Sequence, residues 1–193
     1  MGRWIPLALA LAAFAAAAQP GPAANSVLLI AKPDLADPNF RQTVVLVTQA
    51  PDASTVGVIL NRPGPRRHQD TQEPIGSGGP VMPEALVALF RSEQAPSAAF
   101  AVLKGVYLSM HPDDVNQARP GRRLFAGFSG WMPSQLQNEL ARDAWYVLPA
   151  TEELVFRTET QGLWRELVEK VRAARTRMNP ALSKPDRLAI LVP

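Results

Sequence analysis

A serine set among glycines is the first feature of this sequence that could do chemistry. The segment Gly127-Phe128-Ser129-Gly130 partly matches the G-x-S-x-G nucleophile elbow, but its second glycine comes one position early. A serine nucleophile also needs a histidine base, and the chain offers only His68 and His111. We therefore predict a tight strand-to-helix connection here and no catalytic residue. The alternative is a serine-dependent hydrolase that uses Ser129, or Ser77 with a histidine.

The sequence is also poor in patterns that hold a metal or a phosphate. His111, Asp113 and Asp114 supply too few ligands at matched spacing for a zinc site, and the chain contains no cysteine. The run Gly76-Ser77-Gly78-Gly79 lacks the Gly-Lys-Ser/Thr ending of a P-loop. We predict no metal and no cofactor, and we interpret the glycine run as a turn before Pro80.

The most interesting polar pair is Asn61-Arg62, which follows the apolar run 56–60. A loop residue at the end of a buried strand can face a pocket, so Arg62 is a candidate for binding an anion. The alternative, which we favour, is that Arg62 pairs with Asp34 or Asp37 and braces the fold.

A second group of candidates lies around a predicted helix that begins at Pro133. Gln135 and Glu139 are four residues apart, so they share one face of that helix and either line a groove or face solvent. The full set of candidate ligand-binding residues is Asn61, Arg62, Gly78, Gly79, Trp131, Gln135 and Glu139.

Apolar and β-branched runs predict strands over 25–31, 43–48, 56–60, 85–90, 100–108, 122–128 and 145–148. The polar, Pro- and Gly-rich stretch 61–79 is predicted to be a loop. Helices are predicted from His111, from Pro133 to about Arg142, and over 162–175, where leucines and valines recur at helical spacing. Strands outnumber helices without alternating regularly, which indicates an α+β class with a mixed or antiparallel sheet and flanking helices.

Basic residues are in slight excess, and the formal net charge is +3. The densest groups are Arg66-Arg67-His68, Arg119 with Arg122-Arg123, and the segment 165–177. Nucleic-acid-binding proteins concentrate such residues on one face, whereas these groups are short or diluted by acidic residues. We interpret all three as solvated surface and expect no nucleic-acid partner.

The N-terminus has the three parts of a secretory signal peptide. Arg3 is followed by an apolar run over 7–18, and Ala16-Ala17-Ala18 supplies small residues for cleavage near Ala18. The run is too short to span a bilayer, so we expect no retained membrane anchor. The predicted organisation is a signal peptide (1–18), a disordered leader (19–25), one compact domain (26–175) and a C-terminal tail (176–193), in a periplasmic or secreted protein. A cytoplasmic protein is the alternative.

Several segments in this order closely resemble the YqgE/AlgH family of small bacterial proteins. They cover roughly residues 26–173 and include Leu29 to Phe40, Thr43 to Leu46, Gly57 to Pro63, Gly78 to Val81, Gly127 to Leu136, Glu139 and Trp145. The resemblance implies a compact α+β fold with no established activity or cofactor, and one member's link to alginate production gave the family a transcriptional-regulator label.

The sequence also departs from the family pattern. The usual Gly-Tyr-Ala-Gly-Trp motif carries Phe128 and Ser129 here, with Met132 and Ser134 close behind, and typical members lack a signal peptide. Nothing resembles a helix-turn-helix. We expect a non-enzymatic binding or accessory protein exported to the cell envelope. A protein partner would fit that role, and a cytoplasmic regulator is the alternative.

Overall fold

The computed structural model describes residues 26–178. The predicted signal peptide and leader (1–25) and all but the first three residues of the predicted tail lie outside the described residues. No helix in residues 26–178 is long and apolar enough to cross a membrane.

Within this part of the chain, nine strands form one sheet with the order β6-β7-β5-β8-β3-β2-β1-β9, and β4 pairs with β8 alongside this path. The β4–β8 pair is parallel and the other pairs are antiparallel. The strands are β1 (Val27–Ala31), β2 (Val44–Gln49), β3 (Thr55–Ile59), β4 (Ile75–Ser77), β5 (Val81–Arg91), β6 (Phe100–Leu103), β7 (Val106–Ser109), β8 (Arg123–Trp131) and β9 (Trp145–Pro149).

Four helices flank the sheet: α1 (Pro112–Asn116), α2 (Gln135–Ala141), α3 (Glu152–Val155) and α4 (Leu163–Met178). The α+β class predicted from the sequence is therefore confirmed. The helix predicted from His111 forms as α1, and His111 caps it by accepting a hydrogen bond from the Asp113 amide.

Alternate residues of the central strands enter two apolar layers, one on each face of the sheet. Leu28 packs in the layer that α4 covers through Leu163 and Leu167. Its neighbour Leu29 packs in the opposite layer, which α2 covers through Leu136. This follows from the two-residue period of a strand combined with burial on both faces, which is why β1 and β2 are almost continuously apolar.

The sheet coils on itself. The Thr48 hydroxyl of β2 donates to the Ala101 carbonyl of β6 at 2.9 Å, although four strands separate β2 and β6 in the sheet order. The coil brings β6 and β7 over the same apolar layer as α4. A third apolar cluster fills the space between α1, β4, β5 and β8.

Several details differ from the sequence predictions. The segment 127–130, predicted as a strand-to-helix connection, is part of β8, because Ser129 and Gly130 pair with β3. The short helix α3 was not predicted. The stretch 100–108 is two strands, because the chain reverses at Gly105 with φ of 70°. The predicted loop 61–79 contains β4, which is too short to show a strand period. Strand β5 begins at Val81, earlier than predicted, because Val81 pairs with Phe128 beyond an irregularity in the ladder.

Candidate functional site

Asn61 and Arg62 hold the loop that precedes β2. The Asn61 side chain accepts from the Val44 amide at 2.7 Å and donates to the Gln42 carbonyl at 2.9 Å. Arg62 donates to the Asn39 carbonyl at 2.7 Å. Both residues therefore tie the end of β3 to the loop 37–43.

Arg62 braces the fold through a carbonyl instead of the carboxylates suggested by the sequence. Among residues 26–178 it forms no ion pair with Asp34 or Asp37. Burial and the nearby charge of Arg41 lower its pKa, and the field of Asp37 opposes them in part. The guanidinium nevertheless stays charged, because arginine does not deprotonate in proteins.

Trp131, Gln135 and Glu139 come together in an aromatic cluster on the α2 side of the sheet. The Glu139 carboxylate accepts from the indole N–H groups of Trp131 at 3.0 Å and Trp145 at 2.9 Å. Gln135 donates to the same carboxylate at 3.3 Å. Phe40 stacks on Trp131 with ring centroids 5.3 Å apart. Glu139 thus joins α2 to the ends of β8 and β9.

These two groups meet at one loop. Residues 37–43 are held from one side by Asn61 and Arg62, and from the other by the rings of Trp131 and Trp145 around Phe40. The structure thus gives five of the seven predicted candidates a part in fixing this loop or the helix beside it.

Gly78 and Gly79 allow the chain to lie directly against β8. A Cβ atom at Gly78 would overlap the Gly127 carbonyl, and one at Gly79 would overlap the Phe128 carbonyl. The Gly78 amide donates a backbone hydrogen bond to the Ala126 carbonyl at 2.8 Å, which holds the two segments together. Close packing therefore explains both glycines.

Ser129 lies in the same contact and is completely buried. Its hydroxyl donates to the Gly78 carbonyl at 3.1 Å. The two histidines are engaged elsewhere: Nδ1 of His68 accepts from the Thr71 amide, and Nδ1 of His111 caps α1. No Ser129–histidine hydrogen bond is present in the described part of the chain.

A cleft of about 320 Å³ opens where β4, the start of β8 and the segment before α4 meet. We call it the arginine cleft; it is lined by residues 60, 62–64, 73–76, 122–125, 158 and 160. Leu60, Ile75 and Phe125 belong to the lining but are only 1–3% exposed, whereas Pro63 and Pro74 are its exposed apolar residues. Of the predicted candidates, only Arg62 belongs to it.

Arg122 is the most deeply buried charge of the arginine cleft. Its side chain is 0% exposed and forms an ion pair with Glu73. It also donates to the carbonyls of Val115 at 2.5 Å and Gln117 at 2.6 Å. Burial disfavours the Glu73 carboxylate, but hydrogen bonds from Arg122 and Thr71 outweigh it and lower the pKa of Glu73. The two charges therefore neutralise each other.

Arg123 has no such carboxylate partner among residues 26–178. It donates to the carbonyls of Val155 at 2.8 Å and Leu60 at 2.7 Å, and its guanidinium lies over the Phe125 ring at 5.2 Å. Burial lowers the pKa of Arg123 to about 10, so it is still cationic at neutral pH. Two of its five N–H groups are used by these carbonyls, which leaves donors for a ligand.

The sequence singled out Arg122-Arg123 only as part of a basic cluster. The interpretation of the basic clusters as solvated surface is wrong for Arg122 and His68, which are buried, and for Arg123, which is largely buried. The burial of Arg122 could have been predicted from its place in the sequence, directly before an apolar run. Basic residues at the start of an apolar strand, as in Arg122 to Phe125, sit where a strand enters the core. Among residues 26–178, no group of three or more histidine, aspartate or glutamate side chains could hold a metal ion.

Comparison with known proteins agrees with this architecture. A family model described as AlgH-like matches residues 28–175. A UPF0301 protein of Thermobifida fusca is 36% identical over 170 residues, covering 76% of this chain and 86% of that protein. A UPF0301 protein of Streptomyces coelicolor is 33% identical over 164 residues, covering 75% and 85%.

Two solved structures share the fold. The solution structure of the AlgH protein from Pseudomonas aeruginosa superposes with a TM-score of 0.59 at 22% identity, covering 86% of this chain and 97% of that one. A crystal structure of a Corynebacterium diphtheriae protein gives a TM-score of 0.60 at 20% identity, covering 79% and 88%. With the family match spanning nearly all the described residues, the chain belongs to the AlgH-like family.

Proposed function

We propose that this protein is a non-enzymatic binding protein of the cell envelope that takes a small ligand in the arginine cleft. One observation carries the proposal. Arg123 is a largely buried cation that faces a cleft and has main-chain carbonyls, but no carboxylate, as partners. A buried charge is costly unless it is paired, so a site that keeps one uncompensated is suited to an incoming group.

The chemistry of the lining favours binding over catalysis. Glu73 is held by Arg122 and Thr71, and its lowered pKa keeps it ionised and occupied. A general acid or base needs a pKa near the working pH and a free position, and Glu73 has neither. The remaining polar side chains of the lining are arginines and threonines, which bind and orient well.

Blocking the cleft tests the binding role without assuming the charge of the ligand. Thr158 lines the cleft and is exposed, so Thr158→Trp would close its mouth without disturbing the core. Glu159→Trp is the matched control, because Glu159 is an exposed neighbour outside the lining. The assay is equilibrium dialysis against small-molecule pools from periplasmic extracts, read by mass spectrometry.

We expect at least one compound to be retained by the wild type and by Glu159→Trp, and lost in Thr158→Trp. Retention of nothing, or equal retention by both variants, would overturn the binding role.

Export is the second part of the proposal. It is supported by the signal-peptide pattern of residues 1–18, which precede the family-matched segment 28–175. Cell fractionation followed by N-terminal sequencing tests it. We expect a mature chain that starts near Gln19 in the periplasm; a cytosolic chain that starts at Met1 would support the cytoplasmic alternative instead.

A further inference from the structure

We infer that the ligand of the arginine cleft is a phosphate monoester with an apolar body, and that Arg123 and Arg62 bind its phosphate. This inference rests on the proposed binding function and adds the chemical class of the ligand. Its support comes from the charge balance of the cleft, the free donors in its wall and the apolar surface beside them.

Charge balance favours a doubly charged ligand. The lining contains three arginines and one carboxylate. The Arg122–Glu73 ion pair cancels one charge of each sign. Arg62 and Arg123 remain, and each is bonded only to main-chain carbonyls. Two residual positive charges match a phosphate monoester, which carries about −1.5 to −2 at pH 7, better than a monocarboxylate.

Free donors in the wall suit the tetrahedral oxygens of a phosphate. Arg123 keeps three of its five N–H groups, and Arg62 keeps four, since it uses one on the Asn39 carbonyl. Thr158 and Thr160 line the same cleft, and neither hydroxyl bonds to another group in residues 26–178. Guanidinium and hydroxyl groups are common phosphate ligands, and charge-assisted bonds are the stronger class.

The apolar part of the wall would hold the body of the ligand. Pro63 and Pro74 lie in the lining and are exposed, so their rings supply apolar surface to the cleft. The larger apolar side chains of the lining are almost completely buried. The cleft, about 320 Å³, has room for a phosphate and a ring-sized group. Inorganic phosphate would leave this apolar surface uncovered, so it should bind more weakly than an aryl phosphate.

Five probes separate the charge of the ligand from its apolar body. Phenyl phosphate, benzoate, benzyl alcohol and benzylamine share an aromatic ring and differ in charge, whereas inorganic phosphate has the charge of phenyl phosphate without the ring. Isothermal titration with the full mature chain, at constant ionic strength, should show phenyl phosphate binding about tenfold or more tightly than each of the others. Its affinity should also fall as the pH drops from 7.5 to 5.0, because the second phosphate pKa is about 6.

Two arginine variants then test the assigned residues. Arg62→Met and Arg123→Lys should each weaken phenyl phosphate binding by about tenfold or more, the first by removing a charge and the second by removing the guanidinium fork. Arg142→Met is the control, since Arg142 is an exposed arginine outside the cleft. Urea denaturation of every variant checks that the fold is intact.

The two proposals fail in different ways. If benzyl alcohol or benzylamine binds as tightly as phenyl phosphate, and Thr158→Trp abolishes that binding, the cleft is a binding site but the phosphate inference is wrong. If benzoate binds more tightly, the dianion argument is wrong. If phenyl phosphate does not bind the folded wild type, or binds Arg62→Met and Arg123→Lys unchanged, the inference is likewise overturned.

Discussion

Replacing Glu139 with alanine removes the acceptor of two buried indole N–H groups. Trp131 and Trp145 are 2% and 3% exposed, and both donate to the same Glu139 oxygen at 3.0 and 2.9 Å. With the carboxylate gone, water can reach these groups only by entering the gap that the side chain leaves. Each indole N–H would then be a buried donor with a poor acceptor or none, which destabilises the folded protein.

The magnitude follows from these two bonds. A hydrogen bond to a charged acceptor contributes about 1.5–3 kcal/mol, and Glu139 is partly exposed, which reduces each value toward the lower end. Two bonds therefore give about 3–4 kcal/mol of lost stability. For a domain of this size that corresponds to a fall in Tm of roughly 6–16 °C.

Urea denaturation followed by tryptophan fluorescence measures this loss, and near-UV circular dichroism reports the packing of the indole rings. Gln137→Ala is the matched control on the same helix, because Gln137 is exposed and its side chain makes no hydrogen bond in residues 26–178. It should change stability by less than about 0.5 kcal/mol.

A double-mutant cycle isolates the bond itself. Trp145→Phe should cost about 1 kcal/mol less in the Glu139→Ala background than in the wild type, because the bond is already absent there. A loss below about 0.5 kcal/mol for Glu139→Ala, or a cycle with no coupling, would refute the role assigned to this carboxylate.

Two further substitutions probe the cleft wall and the close contact with β8. Glu73→Gln should cost about 2–4 kcal/mol at pH 7, since Arg122 loses its carboxylate. Because folding lowers the pKa of Glu73, its ionised carboxylate stabilises the protein at pH values above its unfolded pKa of 4.5. This stability is lost as the pH falls through the folded-state pKa. In urea titrations the free energy of unfolding of the variant should therefore fall less steeply with decreasing pH than that of the wild type. Equal slopes would contradict this assignment. Gly79→Ala should cost more than about 2 kcal/mol because its Cβ would overlap a β8 carbonyl. Gly162→Ala, with open space but φ of 78°, should cost only about 1 kcal/mol, and the reverse ranking would refute the packing argument.

Local sequence pattern predicted most of the elements. The β-branched run that forms β2 and the helical spacing of Leu163, Leu167 and Val171 are strong periodic signals, and both elements form close to their predicted bounds. The pattern failed where the signal was short or continuous. Strand β4 has three residues, and the turn at Gly105 interrupts an apolar run that looks like one strand.

The site was harder to predict because hydrogen-bond partners are distant in the sequence. Trp131 and Glu139 were predicted as candidate ligand-binding residues. In the structure the Glu139 carboxylate accepts from the indoles of Trp131 and Trp145, and Phe40 packs on both rings from the loop 37–43, far earlier in the sequence than β8. Asn61 likewise acts through a loop 19 residues earlier. Sequence spacing shows which residue types lie near one another along the chain, but it does not show which side chains they contact in the folded protein.

The sequence by itself determined the α+β class, the main strands and helices, and membership of the family, because these depend on local periodicity and on ordered motifs. Only the tertiary structure decided the meaning of the adjacent pair Arg122 and Arg123. Arg122 bonds Glu73, whereas Arg123 bonds the carbonyls of Leu60 and Val155, the latter 32 residues away. The burial and pairing of a charge are set by the segments that fold around it. For this reason Arg122 forms a buried ion pair, whereas the adjacent Arg123 keeps a positive charge with no carboxylate partner among residues 26–178.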